Sequence, residues 1–221
     1  MNYEFSPETL WQNKLFLLEG TRTTLLITAG ALGIGLLIGG IAALGKTSKH
    51  RIFSVAAGSY IEIFRNTPEL VQLIWIYYCV SILVGLNMEA SISCLIALGL
   101  NSGGYMAEVL RAGIQTVHSG EIEAARGLGL SKYQVTIRIT LPQAIRTMIP
   151  PLVNQSIIVL KNSSLVSVLG VMDLTFRAQV VSTNTFKPIE MYTAIALIYF
   201  VLCTILSYLA RLGERRLVAY R

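Results

Sequence analysis

The chain has 221 residues and a formal net charge of +6, and 53% of its residues are hydrophobic. A mean hydropathy of +0.61 is too high for a soluble domain of this length, so the composition indicates one integral membrane domain. Because a helix needs about 20 apolar residues to cross a bilayer, the long apolar runs predict an all-α protein with about five transmembrane helices.

Lysines and arginines are concentrated in segments that alternate along the chain with the apolar runs. Residues 46–52, 111–146 and those after 210 hold twelve of them, whereas the segments assigned to the opposite side of the membrane hold four. Cytosolic loops are enriched in Lys and Arg, so this asymmetry predicts an N-terminus outside and a C-terminus inside the cell. The positive charge is explained by topology and does not predict a nucleic-acid partner.

The segment 1–22 is predicted to be a periplasmic amphipathic segment. A helix over 7–18 is indicated by apolar residues at helical spacing, namely Leu10, Trp11, Leu15 and Leu18. The segment lacks the basic region of a cleavable signal peptide. A transmembrane domain is then expected over 23–215, followed by a cytosolic tail at 216–221.

The first span, at about 23–44, contains the sequence Gly35-x-x-x-Gly39, which permits close helix packing, and we expect that packing to lie within the subunit. Residues 40–47 also match the letters of a nucleotide-binding P-loop. A P-loop must open a helix whose free N–H groups hold phosphate, whereas these residues end a membrane-spanning run. We therefore interpret Lys46 as a cytosolic anchor and expect no nucleotide or other cofactor on this chain.

No catalytic or metal site is predicted either. Cys79, Cys94 and Cys203 are isolated in apolar runs, and His50 and His118 lie alone in polar loops. Without a cluster of ligands, a Ser-His-Asp arrangement or a carboxylate pair, the sequence does not predict an enzyme.

The second span, at about 53–83, is interrupted by polar residues from Arg65 to Pro68. Such a break is tolerated at membrane depth only where it is buried in protein or lines a watery cavity, so Arg65 is expected to face the interior. The third span, at about 90–117, places Asn101, Tyr105 and Glu108 on one helical face because they lie four and three residues apart.

The interval 118–141 is the longest polar stretch and is predicted to form two short helices. Ser119 is expected to cap the first helix, with Glu121 and Glu123 in its opening turn, and Gly127 and Gly129 are expected to end it.

The second short helix is expected to begin at Lys132, because Ser131 and Gln134 have the spacing of a capping box. It should run to Leu141, where Pro142 forces a new start. A capped helix pair between two membrane spans is typical of a docking element, although an ordinary solvated loop can carry the same caps.

The fourth span is predicted to be kinked at Pro150 and Pro151 and to continue to Lys161. An outer loop at about 171–188 and a fifth span at about 189–210 follow. A charge at the membrane centre costs about 2.5 to 3.5 kcal/mol, so Lys161 must be paired or hydrated. The candidate substrate-binding residues within the spans are Arg65, Asn101, Tyr105, Glu108, Lys161, Asn162, Ser163 and Ser164.

Two interpretations of these polar residues remain open. Arg65, Glu108 and Lys161 could neutralise one another and fix the helix packing. Alternatively, they could line a midplane cavity for a zwitterion, with the cations facing an α-carboxylate and Glu108 facing an α-amino group.

The chain resembles a known family over nearly its whole length. Glu123-Ala124-Ala125, followed by Gly129 and by Ile139, Leu141 and Pro142, is similar to the EAA loop of ABC importer permeases. The blocks that resemble polar amino acid permeases, of the histidine, glutamine, glutamate and arginine type, are FRNTPELVQL (64–73), YMAEVLRAGI (105–114), LPQAIR (141–146) and KNSSLVSVLG (161–170).

The resemblance implies the type I, MetI-like importer architecture in a bacterial cytoplasmic (inner) membrane. It implies a second permease subunit, identical or paralogous, and two ABC ATPase subunits that bind ATP and Mg. It also implies an extracytoplasmic substrate-binding protein that delivers an amino acid, which is then transported by alternating access. It also implies that the ATPase-coupling residues are Glu121, Glu123, Ala124, Ala125, Arg126 and Gly129.

Many members of the family have aspartate where this chain has Asn162, which favours an acidic or neutral polar substrate such as glutamate, aspartate or glutamine. A basic amino acid is the alternative within the family. A proton-coupled secondary carrier is the alternative outside it, with Glu108 and Lys161 as a relay, but such a carrier does not need a docking helix.

Overall fold

The computed structural model describes residues 5–85 and 87–218, with side chains up to residue 212, and every regular element within these residues is a helix. The α-helices are α1 (Glu8–Gln12), α2 (Lys14–Lys46), α3 (Arg51–Asn66), α4 (Glu69–Ile74), α5 (Ser81–Val84), α6 (Ala90–Gln115), α7 (Ser119–Gly127), α8 (Lys132–Val135), α9 (Leu141–Asn162), α10 (Leu174–Thr185) and α11 (Pro188–Val218). Two π-helical turns, Trp75–Val80 and Thr136–Thr140, and a 3₁₀ segment, Ser163–Leu169, lie between them. Residues 1–4 of the predicted N-terminal segment and 219–221 of the predicted tail lie outside the described residues.

Four helical stretches are long and apolar enough to cross a membrane: α2, α6, the continuous stretch Lys132–Leu169, and α11 as far as Leu212. Counted as one bent span, the pair Arg51–Asn66 and Glu69–Val84 gives a fifth, in agreement with the expectation of about five. This second span is not straight, however, because the pair is bent by 110°. The bend follows from Pro68, since Thr67 before it is held in extended conformation (φ −111°, ψ 143°) and ends α3.

The N-terminal helix differs from the predicted one. Only five residues form α1, and α2 begins at Lys14, so Leu15 and Leu18 belong to the 33-residue helix α2 and are exposed. Leu17 is buried against α10 and α11, and Leu10 and Phe16 pack beside it. The prediction over 7–18 was wrong because apolar spacing alone does not show where the chain turns between two consecutive helices.

In the α7–α9 region, α9 begins at Leu141 with Pro142 in its first turn, as expected, but the chain remains helical before it. The helical path continues from Lys132 to Leu169, and the π-helical turn Thr136–Thr140 immediately precedes α9. A proline ring clashes with the carbonyl group four residues earlier, and the wider π turn relieves this clash at Pro142.

The centre of the fold is the contact between α2 and α6, and glycines bring the two backbones together. A Cβ atom built on Gly35 would lie 2.7 Å from Ser102 Oγ, and one built on Gly39 would lie 2.8 Å from the Gly103 carbonyl oxygen. The GxxxG sequence therefore packs within the subunit, as predicted. The P-loop-like residues 40–47 form the C-terminal end of the same helix, where carbonyl groups rather than N–H groups are left free.

Two adjacent glycines in α2 provide a matched test of this packing. We expect Gly39→Ala to lower the thermal unfolding midpoint of the purified protein, because overpacking costs about 1 to 3 kcal/mol. Gly40→Ala should leave the midpoint unchanged or raise it, because no described atom lies within 4 Å of a Cβ built there and alanine has the higher helix propensity. Equal midpoints for the two variants in nanodiscs would contradict the close α2–α6 contact.

The predicted outer loop at 171–188 is largely the helix α10, which packs against α2 and α11. Asp173 caps this helix by accepting the Phe176 N–H at 2.8 Å, and its side chain is fully buried. Burial raises the pKa of Asp173 above its ordinary value, although this hydrogen bond opposes the increase. Thr24 of α2 accepts the adjacent Leu174 N–H at 3.1 Å, so α10 is tied to the outer end of the first span.

Candidate substrate cavity and coupling loop

A cavity of 540 Å³ lies between the α3–α4 break, α6 and α9. Arg65 reaches it from the end of α3 and Glu69 from the start of α4, so the 110° bend brings a cation and a carboxylate to the same space. The predicted residues that line the cavity are Arg65, Asn101, Tyr105, Glu108 and Asn162. The shared face of Asn101, Tyr105 and Glu108 on α6 is therefore the face that meets the cavity.

Three predicted residues lie elsewhere. Lys161 is exposed in a separate groove between α9 and α11. The hydroxyl groups of Ser163 and Ser164 donate to the carbonyl groups of Leu160 and Lys161, each at 2.8 Å, within the 3₁₀ segment. Consecutive helical residues point in directions about 100° apart, so the block 161–164 cannot present all its side chains to one cavity.

Polar residues that the sequence analysis missed complete the wall of the cavity. They are Thr67, Glu69, Asn154 and Gln155. The Asn162 amide donates to Glu69 Oε2, so α9 and α4 are joined across the cavity. Glu69 follows the proline of the predicted break, and this position beside freed backbone was the signal that could have identified it.

The ion pair in this region is not the expected one. Arg111 Nη2 lies 2.6 Å from Glu108 Oε2 one helical turn along α6, so neither Arg65 nor Lys161 neutralises Glu108 by direct contact. Arg65 makes no salt bridge within 5–85 and 87–212, and its guanidinium carbon lies 5.5 Å from the centre of the Tyr105 ring. The cavity therefore contains one cation that is available to an anionic group of a ligand.

The predicted docking element consists of α7 and α8. Ser119 is the first residue of α7 and does not cap it, because His118 occupies the cap position in extended conformation. Glu121 Oε2 accepts a hydrogen bond from Gln143 at 2.5 Å, which joins α7 to the start of α9. Glu123, Ala124 and Arg126 are exposed, whereas Ala125 is 3% exposed and faces inward.

Gly129 ends α7 in the left-handed conformation, with φ of +83°. The Gly129 N–H donates to the Arg126 carbonyl at 2.9 Å and the Leu130 N–H to the Ala125 carbonyl at 3.2 Å, which is a Schellman motif. Glycine is thus required by the backbone conformation. The capping box predicted for Ser131 is confirmed, with both of its hydrogen bonds present.

Large side chains within α8 and in the link between α7 and α8 are left uncovered. Leu128 is 83% exposed and Tyr133 is 74% exposed, although both lie beside the polar helix α7. Exposed apolar groups in a polar, rigidly capped segment are typical of a protein interface. Together, the membrane-length helices, the embedded polar cavity and the exposed helix pair define a helical membrane transport subunit.

The family model described as "Binding-protein-dependent transport system inner membrane component" matches residues 35–219. The chain belongs to this family. The glutamine transport system permease protein GlnP of Escherichia coli (strain K12) is 34% identical over 215 residues, which is 97% of this chain and 98% of that protein. A Rickettsia bellii protein named for the same transport system is 39% identical over 215 residues, which is 97% of this chain and 96% of that protein.

Solved structures agree with this assignment. A chain from a crystal structure of an amino acid ABC transporter with histidines is 40% identical with a TM-score of 0.90, and the match covers 98% of this chain and 100% of that one. A chain of the inward-facing MetNI methionine ABC transporter has a TM-score of 0.77 at 18% identity, covering 93% of this chain and 98% of that one, and this likeness supports the fold alone.

The protein is therefore a permease subunit of an amino acid ABC importer in a bacterial inner membrane, with the MetI-like helical architecture. It is a transport component and not a catalyst. Permeases of this family work with ATPase and substrate-binding-protein partners.

Proposed function

We propose that this permease carries glutamine, and that it is coupled to separate ATPase subunits through α7. The observation that supports the substrate assignment is the placement of Arg65 and Glu69 on one cavity. A guanidinium group pairs well with an α-carboxylate, and a carboxylate pairs well with an α-ammonium group. The 540 Å³ volume lies in the range of small-molecule sites, about 300 to 1,000 Å³.

The charges in the cavity favour a neutral side chain on the substrate. Glutamate or aspartate would bring a second carboxylate, but Arg65 is the one cation among the described residues that line the cavity. Arg111 on α6 is paired with Glu108, and Lys161 lies in another groove. A basic substrate would need a second free carboxylate. The amide of Asn162 and the amides of Asn154 and Gln155 suit a carboxamide group, and glutamine is the substrate named for the two protein relatives.

Coupling through α7 is supported by its exposed face and by the helix that follows it. The stretch Lys132–Leu169 is helical over 38 residues and reaches from the capping box to Asn162 at the cavity. At 1.5 Å per residue, Asn162 lies about 45 Å along the axis from the start of that stretch. Movement of a docked ATPase would therefore reach the cavity through one continuous helix, and ATP and Mg would be bound by that partner.

The assembly that fits this role contains two permease subunits, two ATPase subunits and an extracytoplasmic binding protein, with α7 on the cytosolic side. Its transport cycle alternates access to the cavity between the two sides of the membrane. A proton-coupled carrier is less well supported, because Glu108 and Lys161, the expected relay, line different cavities.

The proposal is tested by ATP hydrolysis in nanodiscs that contain this chain with its copurified partners. Glutamine, glutamate, aspartate and arginine are added in turn with candidate binding proteins. We expect glutamine to give the largest stimulation. Stimulation by glutamate, aspartate or arginine alone would overturn the substrate assignment, and uptake driven by a proton gradient without any ATPase would overturn the coupling.

A further inference from the structure

The break between α3 and α4 leaves backbone carbonyl groups without helical partners, and side-chain amides donate hydrogen bonds to them. In an uninterrupted helix the Phe64 carbonyl would accept the N–H four residues later, but that residue is Pro68, which has none. Gln72 Nε2 donates to the Phe64 carbonyl at 2.9 Å instead, and Asn101 Nδ2 donates to it at 3.0 Å. A buried carbonyl group left without a donor would be destabilising, so both amides satisfy a real requirement.

Gln72 and Asn101, called the amide pair below, are also bonded to each other. Asn101 Nδ2 donates to Gln72 Oε1 at 3.1 Å, and Gln72 Nε2 donates to the Thr67 carbonyl at 3.1 Å. Both side chains are buried, at 8% and 6% exposure. Each amide nitrogen has two N–H groups, and the acceptors around the break occupy all of them. Asn101 can offer a ligand only its carbonyl oxygen.

We propose that the amide pair is a positioning device that holds the α3–α4 break so that Arg65 and Glu69 face one cavity. Asn101 then acts on the substrate through the backbone of the break, and Gln72, which lies behind the cavity wall, acts in the same way. This inference rests on the proposed function, because it assigns the two residues to the amino acid site. Replacing either residue should displace the same segment, so the two effects should not add.

The test is a double-mutant cycle on equilibrium binding of labelled glutamine to the complete transporter in nanodiscs, without binding protein. Gln72→Met and Asn101→Leu keep the approximate side-chain volume and remove the hydrogen bonds. We expect each to raise Kd about tenfold, and the double variant to stay within about threefold of either single variant. If the double variant instead raises Kd about a hundredfold, Asn101 contacts the substrate independently and the positioning role is overturned.

A second measurement does not depend on substrate. Hydrogen–deuterium exchange of the amides in 62–70 should become faster in Gln72→Met and in Asn101→Leu, while α2 and α11 keep their wild-type exchange. Unchanged exchange in both variants would overturn the proposal. If Gln72→Met does not assemble, Gln72→Glu takes its place, because it keeps the acceptor for Asn101 but cannot donate to the carbonyl groups.

Ser102→Ala is the matched control on α6. Ser102 is next to Asn101 and is also buried, but its hydroxyl group points towards Gly35 and has no hydrogen-bond partner in the described chain. The Ser102→Ala variant should change neither the Kd for glutamine nor the hydrogen–deuterium exchange of residues 62–70. A change in either measurement as large as that in Asn101→Leu would overturn the assignment to the amide pair. If the wild-type complex binds no amino acid in this cavity, the proposed function fails there, and the exchange measurement alone decides on the amide pair.

Discussion

Replacement of Arg65 by glutamine is expected to weaken glutamine binding about 10- to 100-fold. A hydrogen bond to a charged group contributes about 1.5 to 3 kcal/mol, and each 1.4 kcal/mol corresponds to about a tenfold change in Kd. Arg65 lines the cavity without a carboxylate partner in the described part of the chain, so its removal breaks no ion pair among those residues. The measurement is equilibrium binding of labelled glutamine to the transporter in nanodiscs.

Lys161→Gln is the matched control, because Lys161 is the other basic residue that the sequence placed at the substrate. It lies in the groove between α9 and α11 rather than at the cavity. Its removal should leave Kd unchanged. If Lys161→Gln weakens binding while Arg65→Gln does not, the ligand occupies a different site from the cavity described above, and the assignment of the α-carboxylate to Arg65 is wrong.

Replacement of Glu123 by lysine is expected to reduce substrate-stimulated ATP hydrolysis by at least about tenfold, with glutamine binding unchanged. Glu123 is exposed on α7, whereas Glu121 accepts a hydrogen bond from Gln143 and supports the local fold. Reversing the charge therefore changes the docking surface more than the fold. An unpaired charge buried in an interface costs about 2 to 5 kcal/mol, which is more than tenfold in affinity.

Three readouts distinguish this effect from misfolding. Membrane levels of the permease, labelled glutamine binding and the amount of copurified ATPase are measured alongside hydrolysis. Glu123→Gln keeps the size of the side chain and removes only its charge, so it should fall between the wild type and Glu123→Lys. Full stimulated hydrolysis in Glu123→Lys would show that the exposed face of α7 is not the coupling surface.

Much of the local structure follows from the sequence because it depends on neighbours along the chain. Apolar length predicts the number of membrane spans, since a bilayer has a fixed thickness. The capping box at Ser131 and Gln134 closes within one turn and needs no distant partner. Gly129 was also expected at the end of α7, and its φ of +83° is the reason that glycine is needed there.

The composition of the cavity was decided by the tertiary structure. Helical periodicity shows which residues share a face, and so it grouped Asn101, Tyr105 and Glu108, but it does not show which helix that face meets. The 110° bend brought Glu69 to the same cavity as Arg65 and left a Phe64 carbonyl group to which Gln72 and Asn101 donate. At the end of α9, where the 3₁₀ segment begins, Lys161 and Asn162 point in different directions around the helix axis. Lys161 therefore lies in the groove beside α11, whereas Asn162 lines the cavity. These placements depend on how distant helices cross, and no local spacing in a sequence encodes that geometry.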